Sequence, residues 1–201
     1  MTGWSRRAVL AGGAALFVAP RLVAQPAGPP VRLIAAARRQ VGVTLSYDPA
    51  YTRLAFPNGD VPRGKGVCTD VVIRAYRDAL GLDLQALVNA DMRKAFGKYP
   101  KRWGLRAPDR NIDHRRVPNL QTWFARIGAR RDLPGEWSGW RPGDLFTCLV
   151  GGNLPHIGIV SDRRTANGRP LVIHNIGAGT REEDALPDHP LTGRYRWALD
   201  G

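Results

Sequence analysis

The last third of the chain constrains the fold most. Asp144 to Val150, His156 to Ser161 and Leu171 to Ile176 are short apolar runs, separated only by Gly151-Gly152-Asn153 and by the polar turn from Asp162 to Pro170. Consecutive short strands joined by tight turns pair antiparallel. Tyr195 to Leu199 reads as a last strand of the same sheet. Upstream the apolar spacing is helical. Val31 to Val41 carries Leu33, Ile34, Ala37 and Val41 and stops at Gly42. Leu84 to Phe96 and Val117 to Ile127 repeat the pattern, and no clear strand lies between Leu82 and Trp140. Helices first and sheet second give an α+β fold, N-terminal helices on a C-terminal antiparallel sheet. At 201 residues the chain suits one domain with a proper core.

One helix carries a candidate for chemistry. From Thr69 onward Val72, Tyr76, Ala79 and Leu80 recur at helical spacing, and Gly81 is a natural stop, which puts Cys68 in the first turn. The unpaired N–H groups and positive dipole end of a helix favour a thiolate, the nucleophilic form. Cysteine is also a common buried residue, so a small core side chain or half of a disulfide with Cys148 stays open. Cys148 itself falls inside a strand and reads as core. Strand alternation puts His156, Gly158 and Val160 on one face, and Val172, His174 and Ile176 on one face of the next strand. If both faces meet the cysteine helix, the imidazoles converge on the thiol and Gly158 clears space for the helix. A nucleophile, a base and a third group that orients the base are what covalent attack on an acyl carbon needs.

The first residues set the compartment. Ser5-Arg6-Arg7 precedes the apolar run Ala11 to Ala19 and then Arg21 and Val23-Ala24, the layout of a cleaved export signal over residues 1–26 that is too short for a comfortable membrane span. The paired arginines point to twin-arginine export, with the ordinary secretion route open because Val9 precedes Leu10. Residues 27–201 would then be one domain, with a helical insertion at about 82–140, placed in the periplasm or outside the cell. The whole chain has 30 Lys and Arg against 17 Asp and Glu, a formal charge of +13. Removing the signal takes away only arginines, so the chain stays basic. The charge is scattered along the chain, which argues against nucleic acid as the partner and suits an anionic cell envelope or an arginine-rich genome equally.

Two polar stretches flank the cysteine helix. Thr44 to Asp60 is irregular, and its Tyr47 and Asp48 would line the mouth of a site or simply make surface turns. Asn111 to Arg116 offers Asp113, His114 and Arg115, which would either bind an anionic group or form a solvated helix start capped by Asp113.

Taken together, these blocks resemble a known family. Cys68 opening a helix, Arg141-Pro142-Gly143-Asp144-Leu145-Phe146 opening a strand, His156-Ile157-Gly158-Ile159-Val160 and a strand ending at His174 look like the successive blocks of the NlpC-type cell-wall peptidases, within the papain-like cysteine peptidases. More narrowly, Gly66 to Val72, Asn111 to Leu120, Asn153 to Ser161 and Ile173 to Gly177 are similar to the YijF-like bacterial proteins, a domain of unknown function in that superfamily. The resemblance implies a papain-like fold, Cys68 as nucleophile, His156 as general base and His174 as third residue, with no cofactor. The Cys68 N–H and Tyr47 would then stabilise the oxyanion, and Asp70, within a turn of the nucleophile, would contact a substrate amine. The peptidases usually carry Asp-Cys-Ser-Gly at the nucleophile, where this chain has Val67-Cys68-Thr69-Asp70.

Two functions remain open at this level. One is a secreted cysteine hydrolase cutting an amide in peptidoglycan or another cell-envelope acyl substrate. The other is a non-catalytic wall or lipid binding protein on the same fold. A zinc site on Cys68, His156 and His174 has the right ligand types but no close-spaced pair.

Overall fold

The computed structural model describes Met1 and residues 27–186 and 188–200. The expected export signal at residues 1–26 therefore lies, Met1 apart, outside the described residues. Four α-helices among the described residues, α1 (Pro29–Arg38), α2 (Cys68–Leu80), α3 (Leu84–Ala95) and α4 (Val117–Arg126), all lie in the first two thirds of the chain. Two short strands, β1 (Ser46–Tyr47) and β2 (Lys65–Gly66), pair parallel just ahead of α2. The main sheet holds β3 (Arg130–Arg131), β4 (Leu145–Val150), β5 (Leu154–Arg164), β6 (Pro170–Asn175), β7 (Thr180–Glu183) and β8 (Leu191–Tyr195), in the order β3-β8-β4-β5-β6-β7. Every pair in it is antiparallel. The α+β architecture expected from the sequence is present, with helices on an antiparallel sheet.

The helices stack on one face of that sheet. Leu33 and Ile34 of α1, Val72 and Tyr76 of α2, and Leu120 and Phe124 of α4 share one apolar core with Leu145, Ile157, Ile159 and Ile173. Residues Cys68 to Tyr76 are all buried, so α2 runs through the middle of the molecule. Its ends are well determined. The Asp70 carboxylate accepts a hydrogen bond from the Val67 N–H at 2.7 Å, and Gly81 closes the helix at φ 68, where a side chain would be strained.

The opposite face carries a second, smaller cluster: Trp140, Phe146, Cys148, Val160, Val172 and Leu186. His156 and His174 belong to this face by alternation. This reverses one expectation, because the imidazoles do not share the face that meets the cysteine helix. Gly158 has a different task as well. A Cβ there would lie 2.6 Å from the Phe146 ring and 2.9 Å from His174 Cβ, so the glycine admits Phe146 and His174 rather than a helix.

Other differences are at the periphery. The last strand is Leu191–Tyr195, ahead of the expected Tyr195 to Leu199, and β7 had no apolar signal, being Thr-Arg-Glu-Glu. β3 falls between Leu82 and Trp140, where no strand was expected.

Gly158→Ala should lower stability by about 1–3 kcal/mol through overpacking. Urea unfolding would show this as a reduced midpoint, and an unchanged midpoint would contradict the close approach described.

Candidate active site

The site is assembled where β5 and β6 part. Their pairing runs from Arg164↔Pro170 to Ile159↔Ile173 and ends there, although β5 continues back to Leu154 and β6 on to Asn175. The start of α2 engages both strands at this opening. Asn175 Nδ2 donates to the Gly66 carbonyl at 3.0 Å and to the Ser46 carbonyl at 3.3 Å. On the other side the Ile157 N–H reaches the Cys68 sulfur and favours its charged form. The thiol thus meets the backbone one residue along from His156.

Tyr47 arrives with β1. The strand is held beside β2 by hydrogen bonds from the Leu45 N–H to the Gly64 carbonyl and from the Asp48 N–H to the Gly66 carbonyl. Arg74, fully buried in α2, anchors this loop region through Asp60, Thr44 Oγ1 and the carbonyls of Val61 and Lys65. The Tyr47 hydroxyl lies against the thiol, and burial followed by the neighbouring sulfur pushes its own pKa up.

Burial dominates the cysteine. It raises the Cys68 pKa to about 11, against the opposing pull of the Ile157 and Thr69 N–H groups and the Tyr47 hydroxyl. The helix start therefore does not make a resting thiolate, as the sequence suggested it would. Both cysteines are free and buried, and Cys148 stands opposite His156 in the β4–β5 register.

The histidines form a chain. His156 Nε2 is 2.8 Å from His174 Nδ1, and His174 Nε2 is 2.9 Å from Glu183 Oε1. As a carboxylate Glu183 can only accept, so the proton between them sits on His174 Nε2. His174 Nδ1 then accepts from His156 Nε2–H, which leaves His156 Nδ1 with a free lone pair. Burial holds the His156 pKa down to about 3, with His174 and His189 adding to it, and lowers that of His174 despite Glu183. Glu183 went unnoticed in the sequence. It lies on a short polar strand whose position beside β6 no apolar pattern marks.

The second polar stretch is not solvated. Asp113, His114 and Arg115 form a buried 3-10 turn. Arg115 donates from Nε and Nη2 to the two oxygens of Asp70, each at 2.9 Å, and its guanidinium also reaches the carbonyls of Asp48 and Ala50. Asp70 and Arg115 are thus committed to each other inside the protein. Asp113 accepts from the Asp109 N–H and from Arg116 Nη1, and burial lowers the His114 pKa to about 4.

A cleft of ≈ 400 Å³ opens over the cysteine, walled by Tyr47, Cys68, Trp103, Arg116, Asn153 and Leu154 among others. His156 opens instead into an adjoining cavity of ≈ 140 Å³, and Tyr47, Leu154 and Pro155 wall both. Among the described residues no group of three His, Cys, Asp or Glu side chains could hold a metal ion, and no helix is long and apolar enough to cross a membrane.

Comparison with known proteins places the chain. It belongs to the family described as Domain of unknown function (DUF1287), whose model matches residues 34–197. It is 49% identical over 180 residues to the uncharacterized protein YijF of Escherichia coli (strain K12), covering 90% of this chain and 87% of that protein. The resemblance to the YijF-like family is thereby shown. Among solved structures, NlpC1 from Trichomonas vaginalis superposes with a TM-score of 0.45 at 13% identity. That superposition covers 87% of this chain and 46% of the other, so this chain spans less than half the length of the solved protein.

The buried neutral imidazoles give a pH signature. The unfolded chain takes up protons at its histidines near pH 6.5, whereas folded His114, His156 and His174 stay neutral to lower pH. The unfolded state then binds more protons, so stability falls as pH drops through that range. Urea unfolding between about pH 7 and 5 should show slopes approaching about 1.4 kcal/mol per pH unit for each such ring, and His156→Gln should remove about one proton from the slope. A flat profile would contradict the buried neutral state.

Proposed function

We propose that the protein is an exported cysteine hydrolase of the papain-like kind, cleaving an amide in peptidoglycan or a related cell-envelope peptide. The observation that carries this reading is the Glu183–His174–His156 chain, which ends on the strand whose next backbone N–H reaches Cys68. Such a chain fixes a tautomer and leaves one basic nitrogen, as a general base needs. The carboxylate behind the pair sets its polarity, and the cavity into which His156 opens shares Tyr47, Leu154 and Pro155 with the cleft over Cys68.

In the proposed reaction the substrate enters the cleft and its carbonyl carbon meets Sγ of Cys68. The S–H proton passes to His156 Nδ1 as the C–S bond forms. Burial pushes the Cys68 pKa up to about 11, so the resting thiol is protonated and His156 has to take its proton for the sulfur to attack. The Cys68 N–H at the helix start and the Tyr47 hydroxyl donate to the oxyanion. The same proton then goes to the leaving amine nitrogen as the C–N bond breaks. Water then attacks the thioester carbon and gives a proton to His156, which returns it to Sγ as the C–S bond breaks, releasing the acid and restoring the thiol. Glu183 stabilises the charge that His156 and His174 carry in between.

The buried, protonated thiol favours a second reading, a wall-binding protein that keeps the fold without turnover. Export to the periplasm or beyond, which both readings share, is supported by the Ser5-Arg6-Arg7 start and the apolar run after it.

Digestion of purified peptidoglycan under reducing conditions, by residues 27–201 and by Cys68→Ala, separates the two. Hydrolysis predicts new fragments with the native cysteine and none with the variant, and Glu183→Gln should slow their release on the order of 10²-fold. No fragments from either, with equal binding to the wall, would contradict the hydrolase.

A further inference from the structure

The cleft over Cys68 is lined by Arg102, Arg115 and Arg116 and by no aspartate or glutamate. Charges inside a cleft with low-dielectric walls act strongly on what enters, so the degree to which each arginine is already neutralised decides what the cleft attracts. Arg115 is spent on Asp70 and two carbonyls. Arg116 is held differently. Its Nη1 donates to Asp113 at 3.0 Å while the guanidinium lies 4.2 Å from the centre of the Trp103 ring. The stacking orients its plane and leaves Nη2 and Nε without a protein acceptor among the described residues. Arg102 approaches the same indole, 5.8 Å from its centre, and is exposed, with no ion-pair or hydrogen-bond partner among the described residues. Two guanidinium groups thus lie about one tryptophan at the wall of the cleft that holds Cys68, and each has N–H groups free to donate to an anion.

We infer that this wall is a carboxylate-reading subsite: Arg102 and the open edge of Arg116, set about Trp103, pair with a free carboxylate of a peptide whose neighbouring carbonyl lies over Cys68. The inference rests on the hydrolase reading for the role of Cys68, but the subsite itself depends only on the cleft. A carboxylate suits it better than a neutral sugar because it gives Arg102 a counter-charge and Arg116 a charged acceptor, and a neutral ligand supplies neither. A guanidinium fork also matches the geometry of a carboxylate with two parallel N–H···O bonds. Arg116 would gain its second partner without giving up Asp113. The substrate class is therefore an acidic peptide, with a carboxyl group on the residue that enters the Trp103 side of the cleft.

The test uses soluble peptidoglycan fragments, untreated or with their carboxyl groups converted to carboxamides by carbodiimide and ammonium. Binding is read on Cys68→Ala by calorimetry, and turnover on the native cysteine. Untreated fragments should bind Cys68→Ala about tenfold more tightly than amidated ones. Adding Arg102→Gln should erase the difference without moving the urea midpoint. In the active chain Arg102→Gln should raise KM more than it lowers kcat, as for lost ground-state binding. Equal binding of both fragment types, unaffected by Arg102→Gln, would overturn the subsite, and turnover of both at equal rates would leave the hydrolase standing without it. Charge-dependent binding with no turnover by the native cysteine would support the subsite and overturn the hydrolase. No binding of either type would overturn the subsite outright.

Discussion

The buried pair between Asp70 and Arg115 is the interaction on which the rest of the site depends. Asp70 caps the helix that begins at Cys68 through the Val67 N–H, while its two oxygens receive Arg115 from the 3-10 turn between α3 and α4. The same guanidinium holds the carbonyls of Asp48 and Ala50, next to Tyr47. One ion pair thus fixes the cysteine, the tyrosine beside it and the wall of the cleft against one another. Burying two charges costs several kcal/mol each, and it is tolerable only where bidentate geometry and further hydrogen bonds satisfy both groups. Those conditions hold here. The pair's value lies in specifying where three segments meet.

A second constraint is burial at the reacting groups. The dipole of α2 and two backbone N–H groups favour a thiolate, but the dry surroundings of Cys68 outweigh them. The histidines are governed in the same way, and remain neutral beside Glu183. A neutral thiol and a neutral base differ from a preformed ion pair. They cost less to hold in a closed core, and they create charge only when a carbonyl is present to accept the sulfur. The parting of β5 from β6 serves this arrangement, because it lets a helix on one face of the sheet reach the backbone beside histidines on the other.

Much of the architecture was legible in the sequence because it follows from periodicity. The apolar positions of α1, α2 and α4 and the alternation of β4, β5 and β6 gave an α+β fold, and Cys68 does open its helix. What stayed hidden depends on partners distant in sequence. Alternation placed His156 and His174 together correctly but could not say which sheet face the helices cover. Gly158 then acquired the wrong neighbour. Asp70, Asp113 and Arg115 look like solvent-facing polar residues until the tertiary fold closes over them. Glu183 gave no signal, since a four-residue polar edge strand has neither apolar alternation nor turn residues of its own to mark it.

The most direct test of the account is the rate at which a small electrophile alkylates each cysteine near neutral pH, resolved by peptide mass, in the native chain and in His156→Gln. Base-assisted attack predicts that Cys68 reacts well ahead of Cys148 and that the substitution slows Cys68 by about tenfold or more. Equal rates at Cys68 in both chains would mean that His156 does not act on the thiol, and would contradict the account.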